Sequence, residues 1–446
     1  MTSRPSGGHK PTPSNSGQAP LWRSEKGAAS RDFSDFKEGL DLVIAGGGPA
    51  GVMAGLLFAR AGCNVQVLEK HADFFRDFRG DTVHPSTLEL LRELGLLGEF
   101  LKRPHDEVRS LTARVADRQI TIADMSHLPV QSRFVALMPQ WDFLDFLSEE
   151  AWHYPTFLLR MEAEAVDLII DDGRVLGVRL KDGQEVRARL TIAADGRTSV
   201  LRDRAALPRQ DFGVPIDVLW FRLPKERTSV NETGGTFGQG TLIVEIDRGD
   251  YWQCACVVPK GAADDIRAKG VEAFRKTIAH AAPELAPVVD SLRDWDQVKL
   301  LSVSLDRLTR WWRPGLLAIG DAAHAMSPVG GVGINLAIQD AVAAANILAG
   351  PLSRGENVDP LLHKVQDRRM LPTRIVQGAQ KIIHERVLTP LVARKAVLDK
   401  VPLMLRLFER VPLLRRIPAR LVGLGFRREH IRSPDAGLRR AESAPP

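Results

Sequence analysis

Six consecutive residues could hold a phosphate group through backbone atoms alone: Gly46, Gly47, Gly48, Pro49, Ala50 and Gly51. They fit the pattern G-x-G-x-x-G, follow the apolar run LVIAG and open a segment with helical periodicity. In such a turn the first glycine permits a tight bend, the second lets a pyrophosphate approach, and the third lets helix and strand pack closely. The free N–H groups at the helix N-terminus favour an anion. A glycine-rich turn without a ligand is the alternative, but the flanking strand and helix favour dinucleotide binding.

An acidic residue stands where a dinucleotide site needs one. Glu69 ends the next apolar run, NVQVLEK, 23 positions after Gly46 and just before Lys70. This spacing is typical of a carboxylate that accepts hydrogen bonds from ribose hydroxyls. A 2′-phosphate would be repelled by the same carboxylate. The pattern therefore predicts FAD or NAD in this pocket and excludes NADP from it.

A second glycine-rich turn lies near residue 330. The stretch LLAIGDAAHAMSPVGGVGINLAIQD spans residues 316–340, and its apolar run stops at Gly320-Asp321. Three glycines, Gly330, Gly331 and Gly333, then precede a sequence with helical periodicity. Such a turn brings backbone N–H groups close to a ligand. We expect something flat, polar and anionic to lie against it.

The elements that position these turns can be read from periodicity. A strand, helix and strand at the start imply a parallel sheet with helices on its faces. Helices are predicted for HPSTLELLRELGLL, QWDFLDFLSEEA and residues 270–293. Strands in 165–196 are joined by the turn pairs Asp172-Gly173 and Asp182-Gly183, and residues 207–258 predict a second sheet. Because a strand–loop–helix unit returns after it, the second sheet is inserted into the first domain.

Three signatures together resemble a known family. GGGPAG with VLEK, then AADGRTSVLR at 193–202, then GDAAHAMSPVGGVGINLAIQDA at 320–341 are similar to the FAD-dependent aromatic hydroxylases, the p-hydroxybenzoate hydroxylase-like flavoprotein monooxygenases. The resemblance covers residues 40–350. It implies an α/β fold with a Rossmann-type FAD-binding domain, an inserted mixed or antiparallel β-sheet substrate domain and a C-terminal helical region. The ranges follow in order: tail 1–38, FAD-binding domain 39–206, substrate sheet 207–303, FAD-binding domain 304–355, basic helical region 356–446.

The resemblance also assigns roles to residues. It implies that Asp321 holds the ribityl chain, that Pro328 lies beside the flavin ring, and that the turn before the last helix meets the pyrimidine edge. Asp195, Arg79 and Gln140 match positions near the pyrophosphate. The full set of predicted cofactor-binding residues is Gly46, Gly48, Pro49, Ala50, Gly51, Glu69, Lys70, Arg79, Gln140, Asp195, Gly320, Asp321, Pro328, Gly331, Val332, Gly333, Ile334 and Asn335.

The function that the resemblance implies is oxygen insertion. NADH or NADPH would reduce the flavin, O2 would give a C4a-hydroperoxyflavin, and an aromatic or polyketide-like small molecule would receive the oxygen. No catalytic acid or base is assigned. The alternatives are a flavin halogenase, a reductase of an apolar or isoprenoid substrate, and a redox-sensing flavoprotein without enzymatic activity. The halogenase signature W-x-W-x-I-P is absent from YWQCACVVP at 251–259.

Composition sets limits on location and partners. The three cysteines among 446 residues cannot form a disulfide framework, so a reducing compartment, the cytoplasm, is expected, and no metal site is expected. Residues 1–38 predict a disordered tail, and no apolar run has the length of a membrane span. A small-molecule substrate is expected, and nucleic acid is not, because no recognition module accompanies the basic charge. The oligomeric state is open.

Several residues outside the signatures carry weaker expectations. From 381 to 433 the chain has 13 basic and 4 acidic residues, interleaved with apolar ones. The favoured interpretation is a solvated face packed on the flavin domain; peripheral membrane contact and a dimer contact are the alternatives. We expect Trp220, Phe221 or Trp252 to line the substrate pocket or to be core, His324 to be structural, and Cys63 to serve packing.

Overall fold

The computed structural model describes residues 39–75, 82–115, 118–225, 233–238, 241–390 and 403–439. The predicted tail 1–38 and Arg79 lie outside these ranges. Within the described residues the strands form two large sheets, of eight and seven strands, and two sheets of three strands each.

The strands share apolar or alternating sequences, and in chain order they are β1 Leu40–Ala45, β2 Val65–Leu68, β3 Thr82–Val83, β4 Asp106–Val108, β5 Ser110–Val115, β6 Arg118–Asp124, β7 Val135–Leu137, β8 Phe157–Arg160, β9 Ala165–Asp171, β10 Arg174–Leu180, β11 Glu185–Ala193, β12 Arg209–Asp211, β13 Ile216–Pro224, β14 Gly234–Gly238, β15 Thr241–Asp247, β16 Tyr251–Pro259, β17 Lys299–Leu301, β18 Asp306–Leu308, β19 Trp312–Arg313, β20 Leu316–Ala318 and β21 His324–Ala325.

The α-helices of the described residues are α1 Pro49–Arg60, α2 Pro85–Glu93, α3 Leu97–Leu101, α4 Gln140–Trp152, α5 Val200–Arg204, α6 Ala263–Ala268, α7 Val271–Ala281, α8 Gly333–Ser353, α9 Leu362–Ile383, α10 Leu403–Arg410 and α11 Arg416–Gly423. A π-helical turn, His384–Leu388, extends α9.

The first sheet is the predicted parallel one. Its strand order is β19-β20-β11-β1-β2-β8, and β1 pairs in parallel with both β2 and β11. The central strands β1 and β2 are almost wholly buried because helices cover the sheet, and α1 and α8 pack together against it. The predicted hairpins form where expected, with Gly173 and Gly183 at positive φ. The first strand–helix–strand unit and the inserted second sheet are therefore confirmed.

The second sheet is larger than the predicted range 207–303. Its order is β17-β13-β16-β15-β14-β5-β6, and β5 and β6 come from the segment before α4. They join through parallel pairing of β14 with β5, a contact between residues more than 110 positions apart. Assigning all of 39–206 to the FAD-binding domain was wrong for these two strands. Local periodicity does not indicate which sheet a strand joins, so the remaining boundaries stay predictions.

Several helices end earlier than predicted. The helix HPSTLELLRELGLL stops at Glu93 and a short α3 follows, while the helix predicted for 270–293 stops at Ala281. Pro283 explains the second case, because the residue before a proline avoids helical geometry. The segment Val329–Ser353 could cross a membrane by length and composition, contrary to the expectation that no run is long enough. However, 78% of its apolar window is buried, as in a core helix.

The basic C-terminal region does not simply pack on the flavin domain. Helix α9 packs against α8, but α10 and α11 contact β6 of the second sheet. Ala419 and Leu424 share a buried cluster with Leu128 and Val135. Helix α11 also meets the flavin domain, where the Val422 carbonyl oxygen lies 2.7 Å from His84 Nδ1. The favoured interpretation therefore holds only in part, because amphipathic periodicity predicts a packed face without identifying the second sheet as a further partner.

Candidate functional site

The first glycine-rich turn has the geometry that its sequence predicts. Gly46 has a φ of +109°, and a Cβ atom there would lie 2.3 Å from the carbonyl oxygen of Ala194. A Cβ at Gly51 would lie 1.9 Å from the Gly46 carbonyl oxygen, because α1 packs directly on the turn. A Cβ at Gly48 would meet no atom within 4 Å, and Gly48 lines a large cavity. A bulky anion can therefore reach the backbone at Gly48.

Two helices direct their N-termini into this cavity. Neither α1 nor α8 has a side-chain hydrogen bond capping its first turn. Residues at both N-termini line the cavity: Gly48, Pro49, Ala50, Gly333 and Ile334. Uncapped N–H groups and the positive ends of helix dipoles attract electron-rich groups. A flavin dinucleotide fits this arrangement, because its diphosphate can meet one helix and its pyrimidine edge the other.

Glu69 lies at the base of the cavity and is engaged with the backbone. Its Oε2 accepts a hydrogen bond from the Gly47 N–H at 3.0 Å. Its Oε1 accepts from the His71 N–H at 3.0 Å and lies 2.5 Å from His71 Nδ1. An ionised carboxylate has further lone pairs for ribose hydroxyls, so that contact stays a prediction. Lys70, beside it, is exposed and lines the cavity.

Asp321 follows strand β20 and lines the same cavity. Its Oδ2 accepts from Arg197 Nε at 2.9 Å, and Arg197 Nη2 donates to the Met326 carbonyl oxygen at 3.3 Å. Arg197 Nη1 is buried without a hydrogen-bond partner among the described residues. Arg197 was not singled out from the sequence, although it directly follows Asp195-Gly196. It brings a positive charge to the cavity wall beside the predicted ribityl site.

The carboxylate of Asp195 is committed to its own loop. Its Oδ1 accepts from Ser199 Oγ at 2.5 Å, and its Oδ2 accepts from the Leu201 N–H at 3.2 Å. Burial raises the pKa of Asp195 despite these hydrogen bonds. The side chain therefore orders the start of α5 and the turn that carries Arg197. Asp195 lines the cavity, but a direct contact with the pyrophosphate stays a prediction.

A buried ion-pair chain supports the Gly320-Asp321 turn from behind. Asp340 Oδ2 accepts from the Gly320 N–H at 3.1 Å and from His324 Nε2 at 2.6 Å, and its Oδ1 accepts from Arg369 Nε at 2.9 Å. Burial favours a raised pKa for Asp340, but the hydrogen-bonded His324 and Arg369 hold the pKa below its usual value. His324 is 1% exposed, so its predicted structural role is confirmed.

The loop at Pro328 is held by helix α9 and its π-helical turn. Gln380 Oε1 accepts from the Ser327 N–H at 3.1 Å, while Gln380 Nε2 donates to the carbonyl oxygens of Ser327 and Val329, both at 2.9 Å. Ser327 Oγ lies 2.8 Å from His384 Nε2. Pro328 itself lines the cavity. The sequence carried no signal for Gln380 or His384, which lie more than 50 positions from the loop.

The predicted residues 331–335 divide into two groups. Gly331, Gly333 and Ile334 line the cavity. Val332 is 7% exposed and packs in an apolar cluster, and Asn335 Oδ1 accepts from the His84 N–H at 3.0 Å. Helical geometry turns successive side chains by about 100°, so these two point away from the cavity. The predicted contacts at this turn are made by main-chain N–H groups, so the assignment of Val332 and Asn335 stays a prediction.

The remaining predicted positions have mixed outcomes. Gln140 opens α4 and lines the cavity. Gly320 is buried behind the turn with a φ of +60°, and Gly51 packs on Gly46, so neither lines the cavity. Arg79 lies outside the described residues. The ligand contacts of all of these positions stay predictions.

His84 is a cavity residue that the sequence analysis did not single out. Its Nδ1–H donates to the Val422 carbonyl oxygen at 2.7 Å, and the side chain is 1% exposed. Burial lowers the pKa of His84 to about 4, although the Val422 carbonyl opposes the shift. The imidazole is therefore neutral at physiological pH. In the sequence, the one feature that could have singled out His84 is its position before Pro85, at the start of α2.

The cavity extends from these turns to the second sheet and has a volume of about 1700 Å³. Typical single-ligand sites occupy about 300–1,000 Å³, so a cofactor leaves room for a second molecule. We call the far end the substrate chamber; alternate residues of three strands form its wall, namely Val218, Trp220, Leu242, Val244, Ala255 and Val257. The same alternation places Phe221 and Trp252 under α7, on the opposite face. Among the three aromatic residues considered, Trp220 lines the chamber.

The C-terminal helices close the other side of the substrate chamber. Phe408 of α10, Pro418 and Val422 of α11, and Ile383 and Leu388 near the end of α9 all line the cavity. The chamber is thus an apolar space between a sheet and a helical cover, continuous with the turns that suit a flavin. Such a space excludes water and can hold an apolar, ring-shaped molecule against the cofactor.

Comparisons with known proteins agree with this geometry. A family model described as "FAD binding domain" matches residues 40–379. A 6-methylpretetramide 4-monooxygenase of Streptomyces rimosus is 31% identical over 389 residues, covering 85% of this chain and 91% of the relative. A rifampicin monooxygenase of Streptomyces venezuelae is 30% identical over 313 residues, covering 68% and 62%. The crystal structure of pqsL, a probable FAD-dependent monooxygenase from Pseudomonas aeruginosa, superposes with a TM-score of 0.68 at 22% identity, covering 80% and 99%.

Proposed function

Because the chain belongs to the FAD binding domain family and is an FAD-dependent monooxygenase, we propose a substrate class for it. The enzyme hydroxylates a multi-ring aromatic, polyketide-like small molecule and uses NADH or NADPH and O2. Two relatives are named 6-methylpretetramide 4-monooxygenase and rifampicin monooxygenase. The observation that carries the substrate class is the substrate chamber itself. It is lined mainly by apolar side chains and is too large for a single phenol once the cofactor is in place.

The residues present fit FAD. The uncapped N-termini of α1 and α8 would hold the diphosphate and the electron-rich edge of the flavin, and Asp321 would accept from the ribityl hydroxyls. Arg197 brings a compensating positive charge to the same wall. Bound FAD, once reduced by a nicotinamide coenzyme, supplies activation of O2.

The protein contributes orientation and exclusion of water. Trp220 offers a flat face against which an aromatic ring can pack, and the apolar walls remove water from the space between substrate and cofactor. His84 is neutral and its Nδ1–H is used by the Val422 carbonyl oxygen, so its Nε2 can accept one hydrogen bond near the second glycine turn without adding charge. We assign no catalytic acid or base.

The test is oxygen transfer by the FAD-loaded protein. The purified chain is incubated with NADH or NADPH, O2 and a tetracyclic aromatic polyketide, with p-hydroxybenzoate as the small comparison substrate. We expect a product 16 mass units heavier from the tetracyclic compound, a shift to 18 when ¹⁸O2 is supplied, and little turnover of the small phenol. A product two mass units heavier formed without O2 would support the reductase alternative and contradict the proposal.

We place the enzyme in the cytoplasm, where NAD(P)H is available and where the buried free thiols of Cys63, Cys254 and Cys256 would stay reduced. The basic C-terminal helices are its candidate contact with a membrane surface.

A further inference from the structure

Exposed apolar side chains concentrate in one short stretch of the chain. The described residues expose thirteen large apolar side chains, and five of them lie between 407 and 426: Leu407, Val411, Leu413, Ile417 and Phe426. Leu413 and Ile417 are the most exposed of the thirteen, at 61% and 66%. Isolated exposed apolar residues are common, but a cluster of this size marks an interaction site.

The cluster lies on the outer side of what we call the C-terminal cover, residues 403–426. Phe408, Pro418 and Val422 of the cover line the substrate chamber, whereas the five exposed residues do not. Ala419 and Gly423, also in the cover, are buried. The cover therefore has one apolar side on the chamber and a second apolar side that no described residue covers.

The outer side is also basic. Arg406, Arg410, Arg416 and Arg420 are exposed and form no ion pair with another described residue. Glu409 is the single acidic residue of the cover, and it lies 3.6 Å from Arg118. Any occupant of this face must accept apolar side chains and neutralise a positive charge at the same time.

These two properties select the occupant. A second copy joined by a two-fold axis would bring the same arginines against each other, which is unfavourable. An anionic lipid surface satisfies both needs, because apolar tips reach the acyl boundary while arginines meet the headgroup phosphates. Helices that lie in a membrane interface have this combination of a basic face and large apolar residues.

We infer that the C-terminal cover docks on an anionic lipid surface and that an apolar substrate enters the chamber from the lipid. The chamber reaches the surface at Ile382, Arg386 and Val387, which both line the cavity and are exposed. A molecule dissolved in the lipid can therefore pass into the chamber without crossing water. The lipid binding rests on the cover alone, whereas the substrate route rests on the proposed hydroxylase function.

The first experiment measures lipid binding without turnover. The full-length, FAD-loaded protein is sedimented with phosphatidylcholine vesicles and with vesicles that contain phosphatidylglycerol. We expect binding to the anionic vesicles, weakened by added salt. Arg416→Gln with Arg420→Gln should weaken binding about thirtyfold, at the energy that each basic residue contributes near such a surface. Ile417→Glu should weaken it at least tenfold, because it places a negative charge at the lipid.

The matched control is Ile170→Glu. Ile170 is 43% exposed on strand β9, outside the cover and the cavity, so this variant should bind as the unaltered protein does. Equal binding by Ile417→Glu and the control would overturn the inference. So would a dimer, measured by light scattering, that Ile417→Glu dissociates, because the face would then hold a second copy.

The second experiment tests the substrate route. A substrate pre-dissolved in anionic vesicles should be converted more slowly by Ile417→Glu, whereas a water-soluble analogue should be converted at an unchanged rate. Equal rates with the lipid-dissolved substrate would overturn the route. If the protein binds the anionic vesicles but oxygenates no multi-ring compound under any condition, the proposed function is wrong and the lipid contact is supported.

Discussion

Gln380 binds both main-chain polar groups of Ser327. The Ser327 N–H donates to Gln380 Oε1 at 3.1 Å, and Gln380 Nε2 donates to the Ser327 carbonyl oxygen at 2.9 Å. The helix that carries Gln380 lies outside the predicted FAD-binding domain, yet it fixes the loop beside the predicted flavin ring. Gln380 is thus a positioning residue for the cofactor site.

Replacing Gln380 with leucine should loosen this loop. The change leaves one backbone N–H and two carbonyl groups without their partner, and each unpaired buried group costs about 1–3 kcal/mol. We expect FAD affinity to fall roughly tenfold or more, at about 1.4 kcal/mol for each factor of ten. Fluorescence titration of FAD and the ratio of NAD(P)H consumed to product formed would measure this.

The matched control is Gln366→Leu on the same helix. Gln366 also bonds two backbone groups, Trp311 N–H at 3.0 Å and Thr309 carbonyl at 2.9 Å, but it does not line the cavity. Gln366→Leu should lower the free energy of unfolding and leave FAD affinity unchanged. Equal FAD affinity in the two variants would contradict the positioning role of Gln380.

Asp340→Asn should weaken flavin binding from behind the site. The substitution removes one of the two carboxylates that compensate Arg369, the other being Glu429 at 3.4 Å, and breaking a buried pair costs up to about 3–5 kcal/mol. It also weakens the hydrogen bond that orients Gly320 and, with it, Asp321. Urea unfolding and FAD titration would measure the two effects.

Asp359→Asn is the control for Asp340. Asp359 likewise accepts from a glycine N–H, that of Gly315, and from an arginine, Arg174, but it lies away from the cavity. Both variants should lose stability, and Asp340→Asn alone should also lose FAD affinity. If Asp359→Asn loses FAD equally, the effect is general destabilisation and the specific role is wrong.

Trp220 and Trp252 make a contrasting pair on one sheet. Trp220 lines the chamber, whereas Trp252 is 6% exposed in the core under α7. Trp252→Ala should lower the free energy of unfolding by about 3–5 kcal/mol, as large-to-small core changes do. Trp220→Ala should mainly raise KM or lower kcat/KM, roughly tenfold. Unchanged kinetics in Trp220→Ala with a multi-ring substrate would contradict the chamber assignment.

His84 should make stability depend on pH. In the unfolded chain its pKa is about 6.5, and in the folded protein burial lowers the pKa to about 4. Between these values the unfolded chain binds a proton that the folded protein does not, so stability falls as pH decreases from about 6.5 to 4. The loss should reach about 3 kcal/mol. Chemical unfolding at several pH values should show this fall in the free energy of unfolding. In His84→Gln the free energy should depend less on pH, and an unchanged pH dependence would contradict the role of His84.

The amino-acid sequence by itself determined the local geometry of the cofactor turns. The positive φ at Gly46 and the close approach of Gly51 require glycine, and the apolar runs around them require buried strands and helices. These features depend on neighbours in the chain, so spacing and residue type suffice to predict them. The α/β fold and the family followed from the same signatures.

Only the tertiary structure decided which distant residues complete the site. Gln380 lies 53 positions from Ser327, and β5 joins β14 across more than 110 positions. Helix α7 covers one face of the second sheet, so Trp252 on that face is core and Trp220 on the other face lines the chamber. A hydrogen bond or packing contact between distant segments leaves no mark in local periodicity. The position of the C-terminal helices over the chamber is such a tertiary contact, so only the folded structure shows that they line it.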